Sequence, residues 1–170
     1  MASKFSITQH FPVSSHVYKY LIRRCGSDTI EASRKSFIGS FVLSLHNRNY
    51  DIALSNSDEG LDYTFNVIIP MHKYEKVGMH ITLENSQLFN NQLDKMFRDE
   101  LFCHLIINKS REKKTYMKSL RSFLDVYNIT EDDIKQETLY RDFKRKKAEM
   151  EKNLLNKTKG TVLETSKLVP

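Results

Sequence analysis

Tryptophan is absent from this chain, and its 170 residues contain five glycines, three prolines and two cysteines. So few glycines, none of them grouped, leave no phosphate-cradling loop and exclude nucleotide hydrolysis of the P-loop kind. Cys25 and Cys103 stand alone, without a second cysteine at metal-clip spacing. Two unpatterned thiols predict a reducing cytoplasm and no disulfide framework. No apolar run approaches the roughly 18–20 residues that a membrane helix needs, and residues 1–5 lack the apolar core of a secretory signal. The expectation is a protein without a membrane role, retained in the cytoplasm.

What is present is an ordinary globular composition, 39% hydrophobic and 28% charged, long enough to bury one real core. The charge is unevenly placed. Residues 1–106 carry 11 basic and 11 acidic side chains, whereas residues 107–170 carry 16 basic and 10 acidic. The whole net charge of +6 therefore accumulates in the C-terminal part, which raises the expectation of a polyanionic partner.

Residues 5–13 alternate apolar positions at Phe5, Ile7, Phe11 and Val13 and predict a strand that Pro12 confines to a sheet edge. Ser14 and Ser15 are candidate caps of a helix through Val17, Tyr20 and Leu21, closed by Gly26. Residues 34–47 fit two periods. Ile38, Phe41, Val42 and Leu45 have helical spacing, whereas Phe37, Phe41, Leu43 and Leu45 suit a strand; we read a helix stopped by Asn47 and Asn49. The polar residues 48–62 predict a surface connection. Tyr63–Pro70 and Gly78–Thr82 then read as a β-hairpin across residues 71–77, joined by the first strand into a small antiparallel sheet. Beyond it Thr82 caps a helix striped by Phe89, Leu93, Met96, Phe97, Leu101 and Leu105. Asn108–Arg111 break that helix, and a second follows through Tyr116, Leu120, Phe123 and Leu124. The fold class is α+β, with the sheet in the N-terminal half and helices in the C-terminal half. Three regions are expected: 1–106, an α+β region ending in the long helix; 107–155, basic and helical; and 156–170, a flexible tail without periodicity.

The densest local information lies in 127–147, YNITEDDIKQETLYRDFKRKK. Tyr127–Thr130 reads as a tight turn, Thr130 with Asp133 as a capping box, and Glu131–Asp133 as acids favoured in a first helical turn. A helix over 131–153 places Leu139, Phe143, Met150 and Leu154 in one stripe. Arg141 and Arg145 then lie about 200° away at 100° per residue. A buried stripe opposite a basic face suits a helix that tracks phosphates, and it also suits a plain solvated face diluted by Asp142, Glu149 and Glu151. The sequence of amphipathic helix (114–126), tight turn, capped segment and basic helix (139–153) resembles a helix-turn-helix DNA-binding unit, although the turn lacks the glycine common there. "FPVSSHVYKYL" and "FLDVYNITEDDI" are similar to segments of small proteins of bacterial viruses and mobile elements. The resemblance implies DNA binding in a bacterial host's cytoplasm.

Catalytic constellations are thin. His10, His16, His46, His72, His80 and His104 are scattered, and only His72 and His80 would meet across the expected hairpin; no zinc-type ligand pair exists. Asp62 with Glu75-Lys76, and the run Arg111–Lys114, do not assemble the grouped acids of a metal-dependent nuclease. Ser14-Ser15-His16 is better explained by capping than as nucleophile and base. We therefore expect a non-enzyme without cofactor or metal. DNA is the expected partner, held at its phosphate backbone by Arg141, Lys144, Arg145 and Lys147, with Lys113, Lys114, Lys118 and Arg121 as a flank. The competing expectation is an assembly or virion protein, as a homo-oligomer or docked on other subunits through its helices and tail, with Met79, Met96, Met117 and Met150 supplying apolar surface.

Overall fold

Strand β1 (Ser6–Val13) forms where apolar and polar residues alternate, and its Phe11 and Val13 are fully buried while Ser6, Thr8 and His10 stay exposed. The structure is a computed structural model in which residues 5–46, 61–78, 81–112 and 115–165 are described. Pro12 is tolerated because β1 lies at a sheet edge, as the sequence suggests. Helix α1 (Ser15–Cys25) follows at once and closes on Gly26, whose φ of 73° is the left-handed conformation that glycine adopts without strain. Neither serine caps α1 with its side chain: Ser14 Oγ donates to Asn90 Oδ1 at 3.2 Å, and Ser15 Oγ donates to Asp133. Both hydroxyls thus tie α1 to distant segments instead of to its own amides.

Strand β2 (Thr29–Glu31) precedes helix α2 (Phe37–Leu45), and strand β3 (Tyr63–Pro70) runs between the other two strands in the order β1-β3-β2. β1 pairs antiparallel to β3 with Phe11 opposite Phe65, whereas β2 pairs parallel to β3 with Ile30 opposite Val67. The expected hairpin between 63–70 and 78–82 does not form. The intervening residues are helix α3 (Met71–Val77), and β3 is already paired on both sides. Strand β2 escapes a periodicity reading because three residues cannot display alternation. The sheet is consequently mixed, within an α+β fold of three strands and six helices among the described residues. In 34–47 the helical reading holds, with Ile38, Val42 and Leu45 buried; Asn47, Asn49 and residues 48–60 lie outside the described residues.

One face of the sheet carries Phe11, Phe65, Val67 and Ile69, which join Val17 and Leu21 of α1, Val42 of α2 and Phe89 of helix α4 (Leu83–Glu112) in one core. The Phe11 and Phe89 ring centroids are 4.3 Å apart. Thr82 Oγ1 accepts from the Asn85 amide at 3.2 Å and so starts α4 as expected. Phe89, Leu93, Phe97, Leu101 and Leu105 recur every fourth residue along it and are all buried, each contributing about 1.5–3 kcal/mol of transfer free energy. The expected break at Asn108–Arg111 is absent, for α4 continues to Glu112. Asn108 Nδ2 donates to His104 Nε2 one turn back at 2.8 Å, so its amide serves the helix rather than ending it.

Helix α5 (Tyr116–Val126) is capped by Thr115 Oγ1, which accepts from the Lys118 amide, and buries Leu120, Phe123 and Leu124. Phe123 stands 5.8 Å from the Phe97 ring of α4. Glu100 joins three elements: it accepts from Tyr20 of α1 at 2.6 Å, from Tyr127 at 2.7 Å and from Arg24 at 2.6 Å. Burial pushes the Glu100 carboxyl up, but these donors outweigh it and hold the group below its ordinary range.

The chain divides into two compact units, Met1–Ile134 and Lys135–Pro170, and the change of charge near residue 107 falls inside the first. The second unit is essentially helix α6 (Gln136–Thr165), which continues past Leu155 where the apolar spacing ends. Backbone hydrogen bonding sustains a helix without amphipathic periodicity, and no proline interrupts 156–165. Residues 166–170 of the expected tail lie outside the described residues.

Candidate nucleic-acid interface

Four of the eight cations expected to meet phosphate stand on the N-terminal half of α6. Arg141, Lys144 and Arg145 are exposed and Lys147 is half-buried, whereas Leu139 and Phe143 are buried. The apolar side is shorter than its spacing suggests, since Met150 is only half-buried and Leu154 is exposed. Arg141, Lys144 and Arg145 follow the i, i+3, i+4 rule, so their side chains emerge from neighbouring positions of one helical surface.

Their local partners lie on the same helix. Arg145 Nη2 lies 3.4 Å from Asp142 Oδ1, with the arginine side chain 81% exposed. Lys147 Nζ pairs with Glu151 at 2.8 Å. An exposed pair such as Arg145 with Asp142 contributes about 0–1 kcal/mol and is screened by salt, so the arginine can exchange its carboxylate for a phosphate at little cost. Lys144 Nζ sits 4.5 Å from the centre of the Tyr140 ring, a cation–π arrangement. Tyr140 is half-buried, stacks 6.2 Å from Phe143, and sets an aromatic face among the cations. This tyrosine is missing from the residues expected on sequence grounds, although Tyr140 and Lys144 are spaced i, i+4 and that spacing is the available signal.

The other four cations divide. Lys118 and Arg121 are exposed three residues apart on α5, in the first unit. Lys113 and Lys114 lie outside the described residues.

The segment before α6 differs from the expected capped turn. Helix α5 ends as Asn128 takes φ 54°, with the Ile129 amide donating to Leu124 O at 3.0 Å. Asparagine tolerates the left-handed region, so it supplies the termination for which glycine was missed. Residues 131–134 then form turns, and α6 begins only at Gln136. The acids of Glu131–Asp133 thus precede α6 rather than fill its first turn. Thr130 and Asp133 do meet, with the Thr130 amide at 2.7 Å and its hydroxyl at 3.0 Å from Asp133 Oδ2. The carboxylate also accepts from Ser15 and, at 2.6 Å, from Lys19 of α1. Desolvation pushes Asp133 up, but the donors from Lys19, Ser15 and Thr130 prevail and bring its pKa down from 3.8 to about 2. No local spacing signals this tie, because Ser15 and Lys19 lie more than a hundred residues upstream.

Four of the described histidines, His10, His16, His46 and His104, make ordinary structural contacts. His16 Nε2 donates to Asp94 at 2.8 Å, and His10 bonds Asn66 across the β1–β3 pair at 2.7 Å. His46 accompanies the Val42 carbonyl at 2.8 Å, and burial lowers its pKa. The expected meeting of His72 and His80 loses its basis, since His72 is on α3 and His80 lies outside the described residues. Glu75 and Lys76 likewise stand on α3 rather than on a strand. Among the described residues no three His, Cys, Asp or Glu side chains are grouped to hold a metal ion, and no helix is long and apolar enough to cross a membrane. Compared with protein-family models, curated proteins and solved structures, the chain matches none.

Proposed function

We propose that the chain binds DNA through the phosphate backbone, with Arg141, Lys144, Arg145 and Lys147 of α6 as the principal phosphate-binding side chains. The observation that carries this reading is the exposed grouping of Arg141, Lys144 and Arg145 on one helical surface, in the part of the chain that holds the whole net charge. Cations there gain by releasing counterions from the polyanion, which gives affinity without sequence readout. Tyr140 adds a ring on which an unpaired base can stack. Lys118 and Arg121 of α5 offer a second basic surface.

The test is retention on duplex DNA at low salt. Arg141→Glu combined with Arg145→Glu should abolish retention while leaving the circular dichroism spectrum unchanged. A milder Arg141→Gln should reduce the slope of log affinity against log salt by about 0.9 for each phosphate no longer neutralised. Retention that the double variant leaves intact refutes the proposal.

One observation favours a second reading, in which α6 docks on a protein during assembly: Leu154 and Leu155 are 58% and 62% exposed on adjacent positions. That reading predicts a defined oligomer by light scattering that Leu154→Ser with Leu155→Ser dissociates, with little dependence on salt.

A further inference from the structure

Helix α2 opens on an aromatic ring that faces solvent. Phe37 is 64% exposed, whereas Ile38, Val42 and Leu45 of the same helix are buried. Its ring lies near-parallel to that of Phe41, at 17° with centroids 6.3 Å apart. Phe41 in turn lies at 10° and 6.2 Å from the buried Phe89 of α4. Three rings thus form offset steps from the core to the surface. We propose that the outermost step, Phe37, is a stacking platform for an unpaired base of single-stranded nucleic acid, flanked by Arg34 and Lys35 and independent of the α6 surface.

The backbone beneath the ring is fixed. The Ala32 amide donates to Ile68 O at 2.8 Å, which ties the Arg34 connection between β2 and α2 to the sheet. The Ser36 amide donates to Ser33 O at 3.2 Å, and Ser36 Oγ accepts from the Gly39 amide at 3.1 Å. Gly39 lets this connection approach α2 so closely that a Cβ there would stand 2.3 Å from the Ser33 nitrogen. A ring on that frame, backed by Phe41, has little freedom left to lose when a ligand covers it, so ordering offsets less of the stacking energy.

The surroundings select the occupant. The other exposed residues of 34–44 are Arg34, Lys35, Ser36, Ser40 and Ser44, so the apolar surface of this segment is one ring wide. A phenylalanine can bury about 150–250 Å², well short of the roughly 800 Å² that each partner gives a stable protein interface. One ring matches one base, and every base has a π face to lay on it. Charge points the same way. Residues 32–46 contain no acid, and the preceding carboxylate, Glu31, lies 3.8 Å from Lys73 of α3. Phe41 meets Phe89, and Asn85 Nδ2 donates to Leu45 O at 2.7 Å, so α2 and α4 run in opposite directions. Glu84 therefore falls at the end of α2 remote from Phe37. Arg34 and Lys35 need no fixed geometry, because counterion release attracts a phosphate chain without directional contacts.

The experiment uses the full chain carrying Arg141→Glu and Arg145→Glu, so that this site and the α6 surface succeed or fail separately. The chain has no tryptophan, so Phe37→Trp adds a single emitter at the platform. A short oligothymidylate should quench it saturably, and an abasic oligomer of equal length and charge should not. Phe37→Ala should weaken oligothymidylate binding by about fivefold or more, measured by anisotropy of the labelled oligomer, while Phe37→Trp retains it. Phe5→Ala, at a ring 76% exposed elsewhere, should leave it unchanged. If Phe37→Ala alters the circular dichroism spectrum, Phe37→Leu, apolar but without a π face, takes its place. Oligouridylate in parallel shows whether the platform prefers RNA or DNA. Absence of quenching, equal quenching by the abasic oligomer, or equal affinity in Phe37→Ala overturns the proposal. A dimer that light scattering detects and Phe37→Ala abolishes would assign the ring to a contact between copies, and overturns it too.

Discussion

Replacing Asp133 by asparagine should destabilise the first unit by about 2 kcal/mol at neutral pH, and that loss should fade in acid. The carboxylate is 7% exposed and receives Lys19, Ser15 and both the amide and hydroxyl of Thr130. Those donors bring its pKa from 3.8 to about 2. At about 1.36 kcal/mol per pH unit, a difference of that size corresponds to about 2.5 kcal/mol. Lys19 is 30% exposed, so solvent screening takes part of it, and asparagine still accepts hydrogen bonds. The folded-state pKa is depressed, so the contribution is complete above the unfolded value and disappears as pH falls through the folded one. By about pH 2.5 roughly a third of it should remain. Urea unfolding of the wild type and Asp133→Asn from about pH 7 to about pH 2.5 measures this directly. Thermal midpoints at about pH 7 should differ by about 4–8 °C for a chain of this size. A difference below about 0.5 kcal/mol near neutrality, or one that persists undiminished in acid, refutes the reasoning that this carboxylate holds the segment to α1.

Two further perturbations probe the frame around the candidate surfaces. Tyr127 is raised to about 12 by burial and then by the Glu100 carboxylate. Glu100→Gln should bring its ionisation back toward the ordinary 10.0, read from tyrosinate absorbance; an unchanged alkaline titration removes Glu100 from that role. A phenol whose pKa is raised in the folded state favours folding below about 10 and loses that support as pH climbs toward about 12. Gly39→Ala places a Cβ 2.3 Å from Ser33 N and 2.7 Å from Ser33 O, both backbone atoms with little room to yield. Overpacking of this kind costs about 1–3 kcal/mol, visible as a lower urea midpoint. Full tolerance would show that the Arg34 connection is looser than its hydrogen bonds imply.

Much of the fold is legible where a single element carries its own period. Strand β1, helix α1 and the α4 stripe stand where the apolar spacing puts them, because burial of one face is a property of consecutive residues. The misreadings have separate causes. Gly78–Thr82 has strand-like composition, but strand pairing is decided by which edges remain open, and β1 and β2 occupy both edges of β3. Asn108 has the composition of a helix stop, yet its bond to His104 keeps it in α4. The basic face of α6 could be read from residue spacing, since i, i+3 and i+4 place Arg141, Lys144 and Arg145 together in any helix. The ring steps from Phe37 to Phe89 could not, because α2 and α4 meet only through the packing of separate elements.

The sequence by itself determined the periodic elements, the α+β class, the concentration of charge beyond residue 106 and the basic surface of α6, all of which depend on residues close along the chain. Tertiary structure alone decided that β2 joins the sheet in parallel, that Ser15 and Lys19 find Asp133, and that Tyr20, Arg24 and Tyr127 converge on Glu100. These are pairings between groups separated by dozens of residues. Their partners are selected by proximity in the folded core and by the cost of leaving a polar group without one, which no local pattern encodes.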